Sequence, residues 1–262
     1  MDNATDIVNV TNHPAGILQI SLHRPDQLNA LSQDVLQRLS QLFTQAKHDT
    51  SIKAILLTGE GKGFCAGADI KQLADLNATQ GVTFATYGQQ VFRQLETLGK
   101  PSLAAIHGFA FGGGCELAMS ATLRIAAHKT VFGQPEIKLG VIPGFGGTQR
   151  LSRLVGKGRA LALCLTGRRF TAEEALQWGM VTELSTPEEL LNRALSLLTE
   201  LVQLSPIALQ SIMTVIDQGY NLSLDDGLAL EAAHFGLCCA TADKKEGVNA
   251  FIEKRTPVFS GE

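Results

Sequence analysis

The chain has 262 residues and a net charge of −3, from 22 Lys and Arg against 25 Asp and Glu. A chain of this length can bury a substantial core in one large domain or in a domain with a small satellite. The acidic balance and short apolar runs argue against a nucleic-acid partner and a membrane partner.

Strand and helix patterns alternate through the first 205 residues. The predicted strands cover residues 16–22, 54–58, 102–106, 123–127, 130–132 and 181–184. The predicted helices cover residues 32–46, a segment from Asp69, and residues 82–98, 115–121, 149–155, 158–165, 172–178 and 186–204. Ser32 and Asp69 are placed to cap helices, and Thr171 with Glu174 forms a capping box. The alternation predicts an α/β fold.

Helical patterns dominate the C-terminal part of the chain. The predicted helices there cover residues 206–218, 222–237 and 243–253. The Ser205–Pro206 step is the expected boundary, which gives an α/β core over residues 1–205 and a helical region over residues 206–262.

Three consecutive glycines, Gly112 to Gly114, follow an apolar strand-like run and precede Glu116. Glycine lets a ligand approach the backbone, and the first amides of a helix are unpartnered and partly positive. The segment from Phe64 to Asp69 also places free amides after a buried strand. Two such amides on one oxygen would form an oxyanion hole. The alternative is a glycine turn followed by a surface glutamate.

A second glutamate, Glu136, lies twenty residues after Glu116. A helix and two short strands join them, which is enough chain for both carboxyls to return to one cleft. Taken alone, Glu136 is equally consistent with a solvated carboxylate in a turn, because Glu is rarely buried.

The cysteines and histidines show no metal-binding or disulfide pattern. The five cysteines include no C-x-x-C pair, and none of the six histidines is followed by another four residues later. We therefore expect free thiols and no metal site. The first residues lack the basic and apolar regions of a secretory signal, so we expect a cytoplasmic protein.

Six motifs occur in a fixed order: Asn29–Leu31, Phe64–Ile70, His107–Ala118, Phe132–Glu136, Gly140–Thr148 and Glu253–Pro257. The series resembles the crotonase, or enoyl-CoA hydratase/isomerase, superfamily over about residues 17–259. The resemblance implies an α/β spiral of ββα units whose C-terminal helices form a homotrimer or a hexamer built from two trimers. It also implies an acyl-CoA thioester substrate and no cofactor, since coenzyme A belongs to the substrate.

The resemblance assigns roles to four residues. The oxyanion-hole amides fall on Ala68 and Gly113, Glu116 acts as base toward the water that attacks C3, and Glu136 acts as acid toward C2. Both glutamates are present, which favours reversible hydration of a trans-2-enoyl-CoA to a 3-hydroxyacyl-CoA. The alternatives are an enoyl-CoA isomerase, which one carboxylate could support, and a non-catalytic or RNA-binding relative.

The resemblance also implies contacts to the substrate. These fall on Gln27, Leu28, Ala30, Ala66, Asp69, Ile70, Lys71, Gly112, Pro135, Gly144 and Lys254. Asp26 stands where many relatives have Lys, which puts an ionic contact to coenzyme A at that position in doubt. Whether Lys254 reaches its own or a neighbouring subunit's coenzyme A stays open, as do the acyl-chain length and the pathway.

The pKa expectations differ for the two glutamates. An apolar surrounding would raise the pKa of Glu136, as an acid requires. For Glu116, the helix N-terminus lowers the pKa while burial raises it, and the residue pattern does not decide between the two effects.

Overall fold

The computed structural model describes residues 7–262, which form two β-sheets surrounded by helices. The strands are β1 Val8–His13, β2 Ile17–Leu22, β3 Ala54–Gly59, β4 Ser102–Ile106, β5 Phe109–Phe111, β6 Leu123–Ala127, β7 Val131–Gly133, β8 Arg169–Thr171 and β9 Glu183–Ser185. The helices are α1 Gln33–His48, α2 Ile70–Leu73, α3 Ala78–Glu96, α4 Gly113–Ser120, α5 Gly147–Val155, α6 Lys157–Thr166, α7 Ala172–Gln177, α8 Leu190–Leu201, α9 Pro206–Gly219, α10 Leu224–Cys239 and α11 Ala242–Glu253. The predicted α/β class is confirmed.

The two sheets divide consecutive strands between them. The large sheet has the order β1-β2-β3-β4-β6-β9, antiparallel between β1 and β2 and parallel elsewhere. The small sheet has the order β5-β7-β8 and receives the strands that directly follow β4 and β6. Because β5 and β7 are parallel, the loops after them lie at the same edge of the small sheet, and the loop after β3 reaches that sheet as well. A bridge between Cys65 and Ala110 ties the loop after β3 to β5.

The core lies between the sheets and the helices. All five residues of β4 are buried, as are six apolar residues on one face of α1: Val35, Leu36, Leu39, Leu42, Phe43 and Ala46. Burial of one such large apolar side chain stabilises the fold by about 1.5–3 kcal/mol. This packing holds the strand ends rigidly where the loops begin.

The structure confirms the caps predicted at three helix starts. Ser32 and Asp69 accept hydrogen bonds from the amides of the helices they precede, and Thr171 with Glu174 forms the predicted capping box. The predicted start of the next long helix at residue 82 is wrong. That helix, α3, begins at Ala78 because Asn77 and Gln80 form a capping box in a polar segment without an apolar period.

Other boundaries also differ. Strand β1 was not predicted, because only Val8 and Val10 interrupt its polar residues, and β8 is too short to show a pattern. The helix expected from residue 186 begins at Leu190, after a turn in which the Glu189 amide donates to the Thr186 hydroxyl at 3.3 Å. The strand expected at residues 181–184 forms at residues 183–185 instead.

The C-terminal helices are poorly covered within the single chain. Among residues 206–262 only Asp243 and Ala250 are buried. The expected division at residues 205 and 206 falls between α8 and α9, and it stays a prediction. Within residues 7–262, no single helix has the length and hydropathy of a membrane span, although α8 and α9 pass that test jointly across a 106° bend.

Candidate active site

Two loops that are distant in sequence run side by side at the edge of the sheets. The Ala66 amide donates to the Leu28 carbonyl at 3.0 Å, and the Leu31 amide donates to the Gly67 carbonyl at 2.8 Å. The Asp69 amide then donates to the Leu31 carbonyl at 3.0 Å. These bonds bring the predicted substrate contacts of residues 27–30 against those of residues 66–71.

Asn29 organises this pair of loops, a role that its motif alone did not reveal. Its backbone is left-handed, with a φ of 57°, a conformation that Asn tolerates better than most residues. Its buried side chain donates to the carbonyls of Glu60 at 2.8 Å and Gly63 at 2.9 Å, and it accepts from the Arg24 amide at 2.9 Å. The signal that the sequence offers for this role is an Asn shortly before a helix, because Asn tolerates the left-handed conformation better than most residues.

The amides of Ala68 and Gly113 face the same small space. A Cβ added to Gly113 would stand 3.2 Å from the Ala68 nitrogen, and one added to Gly67 would stand 3.5 Å from the Gly113 nitrogen. Neither amide donates a hydrogen bond within residues 7–262. Gly113 is the first residue of α4, so its N–H has no partner in the helix. The pair can therefore donate to one oxygen.

Two glycines make room for this arrangement. Gly67 and Gly112 have φ values of 112° and 48°, where side chains are disfavoured. A Cβ on Gly112 would lie only 2.6 Å from the Glu136 Oε1, and one on Gly67 would lie 2.9 Å from the Phe111 carbonyl oxygen. The predicted Gly112 contact therefore lies directly beside the second glutamate.

Glu116 is buried in the first turn of α4, with 1% of its surface exposed. Its Oε1 accepts from the amides of Phe145 at 2.9 Å and Gly147 at 2.6 Å. Phe145 lies in the glycine turn before α5 and Gly147 is the first residue of that helix, so a segment about thirty residues away fixes the carboxylate. These charge-assisted bonds orient it and favour its ionised form.

Glu136 begins a short 3₁₀ helix, Glu136–Leu139, and its carboxylate is half-buried. The side-chain amide of the fully buried Gln134 faces it, and we assign the amide nitrogen to the side of the carboxylate, 3.1 Å from Oε1 and 3.2 Å from Oε2, because this orientation gives the carboxylate a donor. This places an uncharged donor on the carboxylate and holds it near Gly112. The residue pattern gave no role to Gln134, whose position in the motif was the available signal.

The two glutamates perturb each other's protonation. Burial, and to a smaller extent the nearby Glu136, raise the pKa of Glu116 to about 8, although the amides of Gly147 and Phe145 and the Arg150 guanidinium lower it. Burial also raises the pKa of Glu136 to about 7. Burial therefore outweighs the helix N-terminus at Glu116. Because the two carboxyls interact, we assign the values to the pair, which holds one proton near neutral pH.

The other predicted contacts are spread around this centre. Asp69 caps α2 and lies 3.5 Å from the Arg24 guanidinium, with Ile70 and Lys71 exposed beyond it. Gly144 lies in the loop after Glu136, where its carbonyl accepts from Gln89 at 2.8 Å. Gln27 and Ala30 belong to the first of the two paired loops, and Pro135 directly precedes Glu136. Lys254 follows α11 in a left-handed conformation and, within residues 7–262, makes no hydrogen bond to this centre.

The two cysteines in the site loops are buried and serve as packing residues. Burial raises the pKa of Cys65 to about 12 and raises that of Cys115, so neither thiol is a ready nucleophile. Cys65 instead donates to the Asn29 carbonyl at 3.0 Å.

Known proteins are similar to this chain in both sequence and fold. A family profile described as enoyl-CoA hydratase/isomerase matches residues 12–262. A short-chain-enoyl-CoA hydratase of Clostridium acetobutylicum is 45% identical over 90% of this chain and 91% of its own. A crotonyl-CoA hydratase of Syntrophomonas wolfei is 43% identical over 91% and 92% of the two chains. The crystal structure of an enoyl-CoA hydratase from Bacillus anthracis superposes with a TM-score of 0.93 at 37% identity, covering 98% of this chain and 100% of that one.

Proposed function

The chain belongs to the enoyl-CoA hydratase/isomerase family, and on this premise we propose that it adds water reversibly to a trans-2-enoyl-CoA. The predicted resemblance and the predicted spiral fold with C-terminal helices are confirmed by these relatives. The observation that carries the proposal is the juxtaposition of Glu116 and Glu136 with the free amides of Ala68 and Gly113. The product is a 3-hydroxyacyl-CoA.

The two free amides act on the thioester oxygen. As water adds at C3, negative charge moves to that oxygen, and the Ala68 and Gly113 N–H groups bind the charged oxygen more strongly than the neutral one. This difference accelerates the step, and one such donor is typically worth about 2.7–4 kcal/mol. No acceptor within residues 7–262 binds these two amides, which supports the assignment.

The two carboxyls divide the proton transfers. Glu116 takes a proton from water as the water oxygen bonds to C3, and Glu136 gives its proton to C2. The atoms of one water are thereby added, and one proton has moved from Glu136 to Glu116. The pair holds a single proton before and after the step. The raised pKa values of both groups support one shared proton, and the two amides that donate to the Glu116 Oε1 favour the place of that proton on Glu136. Its return to Glu136 resets the site.

A rate measurement with crotonyl-CoA tests the function, with longer and branched enoyl-CoAs as further substrates. We expect loss of the enoyl thioester absorbance and formation of a 3-hydroxyacyl-CoA. A folded protein that hydrates none of these substrates would refute the proposal. Migration of the double bond in a 3-enoyl-CoA, without hydration, would instead indicate an isomerase.

The pH dependence of kcat should be bell-shaped. Activity needs one proton on the pair, so it falls at low pH when Glu116 and Glu136 are both protonated and at high pH when both are ionised. The raised pKa values, about 8 and about 7, place both limbs near neutrality, above the ordinary 4.5 of glutamate. Steady-state rates from pH 5 to 10 check this. A flat profile down to pH 5 would contradict the shared proton.

We also propose that the chain assembles through its C-terminal helices, either as a trimer or as a hexamer built from two trimers. Large apolar side chains stand exposed on these helices, with Leu224 77%, Phe235 71% and Phe251 85% exposed. Patches of this kind mark protein interfaces. Sedimentation equilibrium should give three or six times the chain mass of 28.0 kDa. Phe235→Glu should lower that mass, whereas a monomeric wild type at micromolar concentration would contradict the assembly.

A cytoplasmic location and a reaction without metal or redox cofactor remain part of the proposal. The free state of all five cysteines is the one expected in a reducing compartment. The proton transfers assigned to Glu116 and Glu136 balance without a further reactant.

A further inference from the structure

Arg150 lies behind the turn that holds Glu116. Its Nη1 donates to the Phe145 carbonyl at 2.6 Å, while the amides of Phe145 and Gly147 donate to the Glu116 Oε1. The Arg150 guanidinium thus binds the same turn that supplies the two N–H donors to the Glu116 carboxylate. A shift of this turn would move both of those donors.

Glu96, near the end of α3, fixes the remaining two nitrogens of Arg150. The Nε lies 2.5 Å from the Glu96 Oε1, and the Nη2 lies 3.0 Å from Oε2. Such bidentate pairs are stronger and more directional than single contacts. The two side chains are only 15% and 18% exposed, so solvent screens them less than a surface pair.

The surroundings leave the guanidinium little freedom. Gly146 has a φ of 106°, and a Cβ at that position would lie 2.2 Å from the Arg150 Nη1. The guanidinium carbon also stands 5.9 Å from the centroid of the buried Phe92 ring. A glycine in the turn is therefore required for the arginine to reach the Phe145 carbonyl.

Four groups interact electrostatically with Glu116, three from the surrounding elements and one from its own helix. They are Glu136, Arg150, Cys115 and Cys164. Glu136 raises the pKa of Glu116, and Arg150 lowers it, while the two thiols are neutral because their own pKa values are raised. Arg150 is the cation of this set and opposes the effect of burial.

We propose that Arg150, anchored by Glu96, is a positioning residue for the general base: it fixes the turn at residues 145–147 so that two amides hold Glu116 in its reactive orientation. The proposal rests on the proposed hydratase function. It adds a specific dependence of the orientation of Glu116 on the ion pair between Arg150 and Glu96. A merely structural ion pair would change the stability of the protein and leave the proton transfer unaltered.

Three variants separate the charge of Arg150 from its hydrogen bonds. Arg150→Met removes both, Arg150→Lys keeps the charge without the three-way contact, and Glu96→Gln loosens the anchor. Arg153→Met is the matched control, because Arg153 is on the same helix but donates to Gln149 and Asn221 and not to the turn.

Arg150→Met should lower kcat by about 10- to 100-fold, since small misplacements of catalytic groups cost up to about 10²-fold. Loss of the cation raises the pKa of Glu116, so the acidic limb of the kcat profile should move to higher pH. Arg150→Lys should restore the limb but not the full kcat. Glu96→Gln should lower kcat less than Arg150→Met, and Arg153→Met should leave kcat and both limbs unchanged.

The pKa of Glu116 can also be read without turnover. The free energy of unfolding is measured against pH for wild type, Arg150→Met and Arg150→Lys, each with and without Glu116→Gln, and the difference reports this carboxyl. The pKa of Glu116 should be higher in Arg150→Met than in the other two. If Arg150→Met does not fold, Arg150→Lys and Glu96→Gln decide the outcome. Unchanged kcat and limb in these variants, or a change in KM alone, would overturn the proposal. A wild type without hydratase activity refutes the proposed function, whereas an active wild type with unaffected variants refutes the positioning role alone.

Discussion

Glu116→Gln is expected to lower kcat for hydration by about 10²- to 10⁴-fold, the typical contribution of a positioned general base. The amide keeps an oxygen that can accept from Phe145 and Gly147, now at 2.9 and 2.6 Å from Oε1, so the geometry of the turn is preserved. It cannot accept the proton of the attacking water. Single-turnover and steady-state rates with crotonyl-CoA measure the loss.

A stability measurement shows that the loss is chemical and not structural. Burial raises the pKa of Glu116 above its ordinary 4.5, so the stabilisation by the neutral carboxyl is complete below pH 4.5 and is lost as pH rises through the values of the coupled pair, about 7 and about 8. Glutamine does not titrate, so the variant should gain stability relative to wild type across that window, by an amount on the order of a few kcal/mol. Urea unfolding at pH 5 and pH 9 tests this. If Glu116→Gln kept the wild-type kcat, Glu116 would not be the base. A variant that is less stable than wild type at pH 9 would contradict the raised pKa of Glu116.

Gly113→Ala is expected to lower kcat by about 10²- to 10³-fold, the effect of losing one oxyanion donor. The added methyl would stand 3.2 Å from the Ala68 nitrogen and 3.1 Å from the Phe145 ring, in the space that the thioester oxygen must enter. The oxygen is then held away from both amides, and its developing charge is less stabilised. The substitution raises the free energy of the transition state more than that of the bound substrate. We therefore expect kcat to fall by a larger factor than KM changes.

Gly158→Ala is the matched control for this change. Gly158 lies in α6, and a Cβ added there meets nothing within 4 Å. Alanine favours a helix over glycine by about 0.5–1 kcal/mol, so the control should be as stable as wild type or more so, with unchanged kcat. If Gly113→Ala retained full activity while folded, the oxyanion hole would have to be formed by other donors.

Local sequence patterns predicted much of the secondary structure, because helix caps and the apolar face of a helix depend on residues that are close together in the chain. Ser32 and Thr171 cap the helices they precede, and the apolar face of α1 is buried as its spacing indicates. Where a local signal is weak, the prediction fails: the polar segment from Ala78 to Gly81 is helical only because Asn77 and Gln80 cap it, and β1 pairs with β2 despite its polar residues.

The sequence alone determined which residue types stand at the site and in what order, since the glycine loops and both glutamates lie in motifs that can be read along the chain. The tertiary structure alone decided how they meet. Glu116 is held by amides 29 and 31 residues away, and Arg150 by a glutamate 54 residues away. Burial, which sets the pKa of both glutamates, and hydrogen bonds between distant segments arise only when the sheets bring those segments together. No local pattern encodes them.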